Sequence, residues 1–201
     1  MTHSNTRYDG LPTVRQAYMT EFLVECPKCL RAATVTTSSP YFFCDGQLNC
    51  DNCQHSEKAA DLIRYRVSVK RYCDNCGTQF EKVIPTTIRK VNELTISCPQ
   101  CGITRTFKAR NDEVRISYGN TGLGNDPIFH LPLWLQHTVK AQLLWAYNRH
   151  HLQDIKQYIS AKLRERQART HTTMVERLPN FIKASKNRNA LLKAIEKMEQ
   201  K

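Results

Sequence analysis

Short runs of alternating apolar and polar residues dominate the first half of the chain. The clearest run covers residues 64–72, where Tyr65, Val67 and Val69 alternate with polar positions. This period of two predicts a half-buried strand with a basic outer face. Further strands are predicted at residues 22–25, 32–37, 79–84, 93–97 and 103–108, with 41–43 as the return arm of a hairpin and one helical turn within 57–63.

Two apolar and aromatic stretches open the second half. Residues 128–136 and 143–147, joined by a polar turn, predict a β-hairpin. Trp134, Trp145 and Tyr147 offer rings on which nucleic-acid bases could stack. The leucines that surround these rings favour a role in the core instead.

Helical spacing follows in the last third of the chain. Asn148 is a suitable N-cap for a helix from Arg149 to about Arg169, because Leu152, Ile155 and Ile159 recur every three to four residues on one face. Two further helical signals are the Thr173-x-x-Glu176 capping box and the apolar spacing of residues 189–199.

Four Cys-x-x-Cys pairs lie at the ends of the predicted strands of the first half. Twenty residues separate the first two pairs and 21 separate the last two, so one structural unit occurs twice. A two-residue spacing lets a tight turn present two sulfurs to one ion, and two such turns complete a tetrahedral shell around Zn(II). The sequence therefore predicts two zinc ions per chain, with Cys26, Cys29, Cys50 and Cys53 as ligands of the first and Cys73, Cys76, Cys98 and Cys101 as ligands of the second.

The same cysteines could instead form disulfides, as in small secreted domains. Residues 1–10 are polar and contain no apolar signal-peptide core, which favours a reducing, cytoplasmic compartment and therefore metal. No apolar run approaches the roughly 18 residues that a membrane-spanning helix needs. We therefore expect a cytoplasmic protein with no membrane partner.

The cysteine pairs also carry a resemblance to known proteins. The CPKC, CDNC, CDNC and CPQCG sequences resemble the rubredoxin-type knuckles of zinc ribbons, a family that includes the ribbon of transcription factor IIB and those inserted in the primosomal helicase. The segments LPLWLQ, LLWAYNRHHL and RLPNFIKASKNR resemble uncharacterised bacterial proteins labelled as zinc-ribbon-containing. The resemblance implies the ribbon fold and the eight ligands, but no established activity, since ribbons serve nucleic-acid contact, protein contact and scaffolding alike.

These signals together predict an α+β chain. Two tandem zinc ribbons and a β-hairpin form a small zinc-stabilised β region, and a C-terminal α-helical segment follows. Units of about 40 residues rarely fold without a metal or another staple. The expected divisions are an N-terminal arm at 1–20, ribbons at 21–57 and 64–112, a loop and hairpin at 113–148, and a basic helical region at 149–201.

The first zinc site departs from the second in two ways. Leu30 and Gln54 take the places after its knuckles where the second site has glycine, which predicts a less regular geometry. Cys44, the ninth cysteine, and His55 are alternative ligands for this site. A cysteine that follows two phenylalanines is nevertheless more often a small buried hydrophobe.

No set of residues meets the requirements of an active site. Four sulfurs leave zinc no open position for water or substrate. His150 and Asp154 lie one turn apart on the predicted helix and could share a metal ion, but no third ligand accompanies them. We therefore expect a protein that is not an enzyme, has no catalytic residues and takes no small-molecule substrate.

The charge of the chain points to a polyanionic partner. The sequence contains 30 Lys and Arg against 18 Asp and Glu, for a net charge of +12. A basic surface attracts nucleic acid, although a solvated helical surface can have the same composition. Residues 140–201 alone carry 14 basic and five acidic side chains.

We therefore expect a non-enzymatic zinc protein that binds DNA or RNA through its phosphates, with little sequence specificity. The alternative is an adaptor that docks onto a larger cytosolic complex through an amphipathic helix. Lys108 and Arg110 are assigned to one face of the last ribbon strand. The full set of candidate nucleic-acid contacts is Arg64, Arg66, Lys70, Lys108, Arg110, Lys186 and Arg188.

Overall fold

The structure is a computed structural model that describes residue 8 and residues 13–41, 44–119, 124–161 and 173–201. It consists of small antiparallel sheets followed by C-terminal helices, which confirms the α+β prediction. The chain forms two compact units. The larger unit comprises Met1–Ala60 and Ser117–Lys201, and the smaller unit comprises Asp61–Ile116.

Strands occupy the described chain up to residue 145, and helices follow. The strands are β1 (Glu21–Glu25), β2 (Ala32–Thr36), β3 (Gln47–Asn49), β4 (Ser56–Lys58), β5 (Ile63–Tyr72), β6 (Gln79–Thr87), β7 (Glu93–Ser97), β8 (Thr104–Lys108), β9 (Arg110–Arg115), β10 (Gln136–Val139) and β11 (Gln142–Trp145). The α-helices are α1 (Arg149–Ser160), α2 (Asn180–Lys183) and α3 (Arg188–Glu199), and single 3₁₀ turns lie at Arg15–Tyr18, Ala59–Leu62, Val175–Arg177 and Ser185–Asn187.

The smaller unit combines a three-stranded sheet of order β6-β5-β9 with the hairpin β7-β8. The alternation predicted for β5 is confirmed, because Val67 and Val69 are buried while Arg66 and Lys70 are exposed. β6 continues through Pro85 to Thr87, beyond the predicted end of this strand at residue 84. It is an edge strand, and a proline there removes no ladder hydrogen bond. The buried core is Val67, Val69, Cys73, Phe80, Cys98 and Ala109.

The larger unit contains the antiparallel sheet β1-β2-β3-β4, the hairpin β10-β11 and the described helices. The free edge of β1 is covered, because the Trp134 N–H donates to the Leu23 carbonyl at 2.9 Å and the Glu25 N–H donates to the Pro132 carbonyl at 2.8 Å. α1 packs against α3, and α3 packs against β10. The fully buried side chains of the larger unit include Phe22, Leu48, Phe129, Leu133, Leu135, Leu144, Leu152, Ile155, Ile159 and Leu191.

The hairpin arm predicted at residues 41–43 is wrong. Tyr41 is exposed and lies outside any strand, residues 42 and 43 lie outside the described residues, and the partner of β2 is β3. Asp45 explains the longer connection, since its carboxylate accepts hydrogen bonds from the Thr37 hydroxyl at 2.6 Å and the Ser38 N–H at 2.8 Å. These side-chain hydrogen bonds hold the chain after β2 in a loop, so the strand that pairs with β2 begins only at Gln47.

The hairpin predicted from residues 128–136 and 143–147 exists, but its first arm is β10. Residues 127–129 form a turn beside the buried carboxylate of Asp126. That carboxylate accepts hydrogen bonds from the backbone N–H groups of Ile128, Phe129 and Leu131 at 2.7–2.8 Å. N–H groups bound in this way cannot also form a strand ladder, so pairing starts only at Gln136.

The helix predicted from Arg149 to about Arg169 begins as expected and ends early. The side chain of Asn148 accepts a hydrogen bond from the His151 N–H, which confirms the N-cap. α1 ends at Ser160, because Ala161 has an extended backbone, and residues 162–172 lie outside the described residues. The Thr173–Glu176 capping box is also confirmed, with both reciprocal hydrogen bonds present. Among the described helices, none has the length and apolar character needed to cross a bilayer.

Candidate metal centres and basic surface

All four Cys-x-x-Cys pairs lie in tight turns of the same construction. In each turn the N–H of the first cysteine donates to the carbonyl five residues further on, at 2.8–2.9 Å. In three of them the residue after the second cysteine also donates its N–H back to the carbonyl of the first. These three bonds join Leu30 to Cys26 at 3.0 Å, Gly77 to Cys73 at 2.8 Å and Gly102 to Cys98 at 2.9 Å.

The turns assemble into two clusters of four thiols. Cluster 1 is Cys26, Cys29, Cys50 and Cys53, cluster 2 is Cys73, Cys76, Cys98 and Cys101, and the sulfurs within each set lie within 4.8 Å of one another. The closest sulfur pairs are 3.5 and 3.7 Å apart in cluster 1 and 3.6 Å apart in cluster 2.

These distances match a metal site and not a disulfide. Four thiolates bound tetrahedrally at about 2.3 Å have sulfurs about 3.8 Å apart, whereas a disulfide needs about 2.05 Å. All nine cysteines are free thiols, so the disulfide alternative is wrong for this structure. Each cluster could hold one metal ion, and four sulfurs would close its coordination shell.

Neighbouring backbone and side-chain groups lower the pKa of some thiols in each cluster. The backbone N–H of Arg31 is the main cause that lowers the pKa of Cys29 to about 6. In cluster 2 the Thr78 side chain and then its backbone N–H lower the pKa of Cys76 to about 6. In the same clusters burial and the neighbouring thiols raise the pKa of Cys53 to about 12 and that of Cys98 to about 11. Each cluster therefore combines thiols of lowered and of raised pKa, and a metal ion would displace the protons of the latter.

The less regular geometry expected for cluster 1 is not found in its backbone. Leu30 and Gln54 adopt φ of 59° and 58°, close to the 72° and 74° of Gly77 and Gly102 in cluster 2. The fold therefore imposes a left-handed backbone on leucine and glutamine, two residue types that rarely adopt it. A side chain other than glycine costs roughly 1–2 kcal/mol in this conformation.

Leu30→Gly is expected to stabilise the metal-loaded protein by about 0.5 kcal/mol, because relief of the left-handed strain exceeds the added freedom of glycine in the unfolded chain. Leu30 is 64% exposed, so little burial is lost. Gly77→Leu is the matched variant and should destabilise by about 1 kcal/mol; no atom lies within 4 Å of the added Cβ, so the backbone alone supplies the cost. Chemical denaturation with hydrogen-exchange detection in each unit measures both changes in the free energy of unfolding. If the two variants change it in the same direction, left-handed backbone strain is not the cause.

The alternative ligands of cluster 1 are not part of it. Neither Cys44 nor His55 belongs to either group of four ligand atoms. Cys44 is exposed, so its expected role as a buried hydrophobe is wrong. The His55 Nε2 lies 3.6 Å from a carboxylate oxygen of Glu57.

Four of the predicted nucleic-acid contacts line one concave surface of the smaller unit. We call this surface the basic depression; the volume that it encloses is about 500 Å³. Arg66 and Lys70 come from β5, while Lys108 ends β8 and Arg110 begins β9, so the single strand predicted for the last two residues is wrong. Buried Ala109 separates those two strands. The complete lining is Arg66, Ser68, Val69, Lys70, Arg71, Glu81, Lys108, Arg110 and Asp112.

Pairing of β5 with its neighbours explains this convergence. Ser68 lies opposite Arg110 and Arg66 lies opposite Asp112, so all four share one face of the sheet. Arg110 donates from Nε to Asp112 at 2.8 Å, an exposed ion pair that contributes little stability. Five cations and two carboxylates line the depression, which leaves it basic.

Sequence reasoning missed one residue of this surface and one residue of β5 that lies outside its lining. Arg71 lines the depression, and Tyr72 is 65% exposed at the end of β5. The same period of two that selected Arg66 and Lys70 also places Tyr72 on their face. That signal was sufficient to find it.

The other three predicted contacts are placed differently. Arg64 donates from one guanidinium nitrogen to the carbonyls of Asp61 and Ile63 and does not line the depression. Lys186 and Arg188 belong to the larger unit. Lys186 is exposed, whereas Arg188 is half-buried and donates to the Ala161 carbonyl at the end of α1 at 2.9 Å.

His150 and Asp154 form no metal site with a third ligand in the described part of the chain. The His150 Nε2 lies 3.8 Å from the Asp154 carboxylate, which also accepts a hydrogen bond from the Tyr18 hydroxyl. Burial and the bond to Asp154 raise the pKa of Tyr18. Asp154 therefore joins α1 to the 3₁₀ turn that contains Tyr18.

Comparison with known proteins gives this chain no family. No protein-family model matches it, and neither a curated protein nor a solved structure does. The case for its function therefore depends on the clusters and surfaces described above.

Proposed function

We propose that the chain is a non-enzymatic nucleic-acid-binding protein whose contact surface is the basic depression. The observation that carries the proposal is the convergence of cations from three strands, β5, β8 and β9, on one concave surface. Cationic side chains grouped in this way neutralise phosphates of a polymer and release its counterions. Such contacts position the polymer without reading its sequence.

Tyr72 favours single strands over duplexes as the ligand. Its exposed ring lies on the same face of β5 as Arg66 and Lys70. An unpaired base can stack on such a ring while neighbouring phosphates contact the cations, whereas a base inside a duplex cannot. The proposed ligand is therefore single-stranded DNA or RNA, bound with little sequence preference.

Fluorescence anisotropy of labelled 20-nucleotide strands and their duplexes, titrated with the metal-loaded full chain, tests this proposal. Four phosphate contacts on a single strand predict that log K falls with log salt with a slope of about −3. Lys70→Gln should reduce this slope by about 0.7. Tyr72→Ala should weaken single-strand binding about tenfold and leave the slope unchanged, because stacking releases no counterions.

Arg64→Gln is the matched control for Lys70→Gln. Both residues lie on β5, but the guanidinium of Arg64 is bound to backbone carbonyls outside the depression. We expect Arg64→Gln to bind as the unchanged protein does. If the two variants lose the same affinity for nucleic acid, the contact lies outside the basic depression. If the unchanged protein shows no salt-sensitive binding at micromolar concentration, the adaptor alternative is favoured.

The metal in the proposal is zinc, two ions per chain. Four thiolates in a tetrahedral arrangement are the ligand set of structural zinc, and the sulfur separations of both clusters fit it. The zinc would hold the turns that begin and end the strands of the smaller unit. Its cysteines therefore support the basic depression without touching the ligand.

A further inference from the structure

A second concave site lies in the larger unit, apart from the clusters and the basic depression. It is a cavity of about 360 Å³ bounded by β11, α1 and the segment from Met174 to Ile182. Apolar and aromatic side chains form most of its wall, among them Trp145, Ile155, Met174 and Phe181. This volume lies within the range of sites for small organic ligands.

One polar side chain in the wall is almost completely buried. His151 is 3% exposed, and its ring is fixed by Tyr18, which stacks on it at 4.7 Å, and by the edge of Trp145 at 6.0 Å. The Tyr147 N–H donates to His151 Nδ1 at 3.2 Å, so Nδ1 carries a lone pair and Nε2 carries the proton. Burial is the main cause that lowers the pKa of His151 to about 4, with a smaller contribution from the charge of Arg15. The imidazole is therefore neutral at pH 7.

The Nε2–H of His151 has no hydrogen-bond partner among the described residues. Nε2 is not one of the buried side-chain atoms that lack a hydrogen-bond partner, so it keeps some exposed surface. A polar donor in a mostly apolar wall can fix the orientation of a ligand. Since His151 lines the cavity, a ligand with an acceptor atom could accept a hydrogen bond from this Nε2–H.

The charged residues of the wall are both cationic. Arg15 and Arg177 line the cavity, and no aspartate or glutamate does. No described carboxylate forms an ion pair with either arginine. Guanidinium groups bind planar carboxylates or phosphates through paired hydrogen bonds, so the wall is complementary to an anion.

We propose that this cavity binds a small organic anion with a flat aromatic body. The rings and aliphatic groups of the wall would enclose the body, while Arg15, Arg177 and the His151 Nε2–H would contact the anionic group. A water molecule occupies about 30 Å³ in the liquid, so the cavity has room for a ligand of about a dozen non-hydrogen atoms. This site shares no residue with the proposed nucleic-acid surface, and a ligand bound there would run against the prediction of no small-molecule substrate.

Indole-3-carboxylate and its neutral isostere indole-3-carboxamide are suitable probes, because they have the same shape and differ in charge. Each is titrated into the ¹⁵N-labelled, metal-loaded full chain, and the indole N–H signals of Trp145 and Trp134 are followed. The carboxylate should shift the Trp145 signal with a Kd of roughly 1 mM or below. The carboxamide should bind at least about tenfold more weakly. Trp134 does not line the cavity, and its signal should stay unchanged.

Arg177→Gln should remove the preference for the carboxylate, and Arg15→Gln serves the same purpose if the first variant does not fold. Lys193→Gln removes an exposed cation of α3 that does not line the cavity, and the preference should survive it. A lack of saturable shifts at Trp145 up to about 10 mM would overturn the proposal. Equal affinities for the two probes, or equal shifts at both tryptophans, would overturn it as well.

Discussion

Cys98→Ser should leave one metal ion per chain instead of two and unfold the smaller unit while the larger unit stays folded. Cys98 is 4% exposed and belongs to cluster 2. Its replacement removes one of four thiolates, and serine is a poor ligand for a soft thiolate site. Structural zinc contributes apparent binding free energies of about 10–16 kcal/mol, which matches or exceeds the whole stability of a typical domain.

The two units differ in what remains when metal is lost. Two of the six buried core residues of the smaller unit are cysteines of cluster 2, and the other four are Val67, Val69, Phe80 and Ala109. Partly buried side chains such as Ile84, Leu94 and Phe107 pack against them. We expect an apolar core of this size to be too small, without metal, to offset the conformational entropy of the unit. The larger unit keeps the packed side chains of α1, α3 and the hairpin β10-β11, which do not involve cluster 2.

Metal analysis and hydrogen exchange measured by mass spectrometry separate these outcomes. Peptides from β5 to β9 should exchange rapidly in Cys98→Ser, while peptides from α1 and α3 keep their protection. Cys44→Ser is the matched control, because Cys44 is an exposed cysteine outside both clusters. The Cys44→Ser variant should bind two metal ions per chain, and its amide hydrogens should exchange at the wild-type rate. Protection of β5 in Cys98→Ser at wild-type levels would contradict a structural role for cluster 2.

Local patterns were sufficient to predict the parts of this fold that depend on neighbouring residues. The Cys-x-x-Cys turns, the alternation in β5, the Asn148 cap and the Thr173–Glu176 capping box each involve contacts within about five residues. Their physical causes, turn geometry and strand or helix periodicity, are visible in short stretches of sequence. The assembly of two pairs into each cluster is not local, and it followed from the repeated spacing and from the preference of zinc for four ligands.

The errors arose where hydrogen bonds of one polar side chain, and not the apolar periodicity, fix the backbone of a nearby segment. Asp45 closes the loop after β2, and Asp126 binds three N–H groups of the segment that was assigned to a strand. Aspartate is common in loops of every length, so its partners cannot be read from periodicity. The left-handed backbone of Leu30 is a similar case, since the tight turn around cluster 1 overrides the residue's own preference.

The candidate sites were predictable to different degrees. Arg66 and Lys70 were found because they share a strand, but their meeting with Lys108 and Arg110 depends on pairing between strands about 40 residues apart in sequence. The cavity around His151 was not predicted at all. Its wall combines β11, α1 and the chain near Pro179, and sequence spacing carries no information on such tertiary contacts.

Asn148→Ala should destabilise the larger unit by about 3 kcal/mol, the largest effect expected for a residue outside the clusters. The side chain is 7% exposed and makes three hydrogen bonds. Its oxygen accepts from the His151 N–H at 2.9 Å, and its nitrogen donates to the carbonyls of Tyr18 at 3.1 Å and Glu21 at 3.0 Å. Loss of an N-cap costs about 1 kcal/mol. The two abandoned carbonyls, one in a buried and one in a part-buried hydrogen bond, add about as much each.

Asn148→Asp separates the cap from the connection it makes to β1. Aspartate is as good an N-cap as asparagine, but it has no N–H to donate and would place a carboxylate beside the carbonyls of Tyr18 and Glu21. We therefore expect a loss of about 2 kcal/mol from Asn148→Asp and only about 1 kcal/mol from Thr173→Ala, which removes a cap with no such second role. Urea unfolding followed by the helical circular dichroism signal reports on the larger unit, because the described helices all lie there. Wild-type stability in Asn148→Asp would mean that the cap alone matters and that α1 is held to β1 by packing.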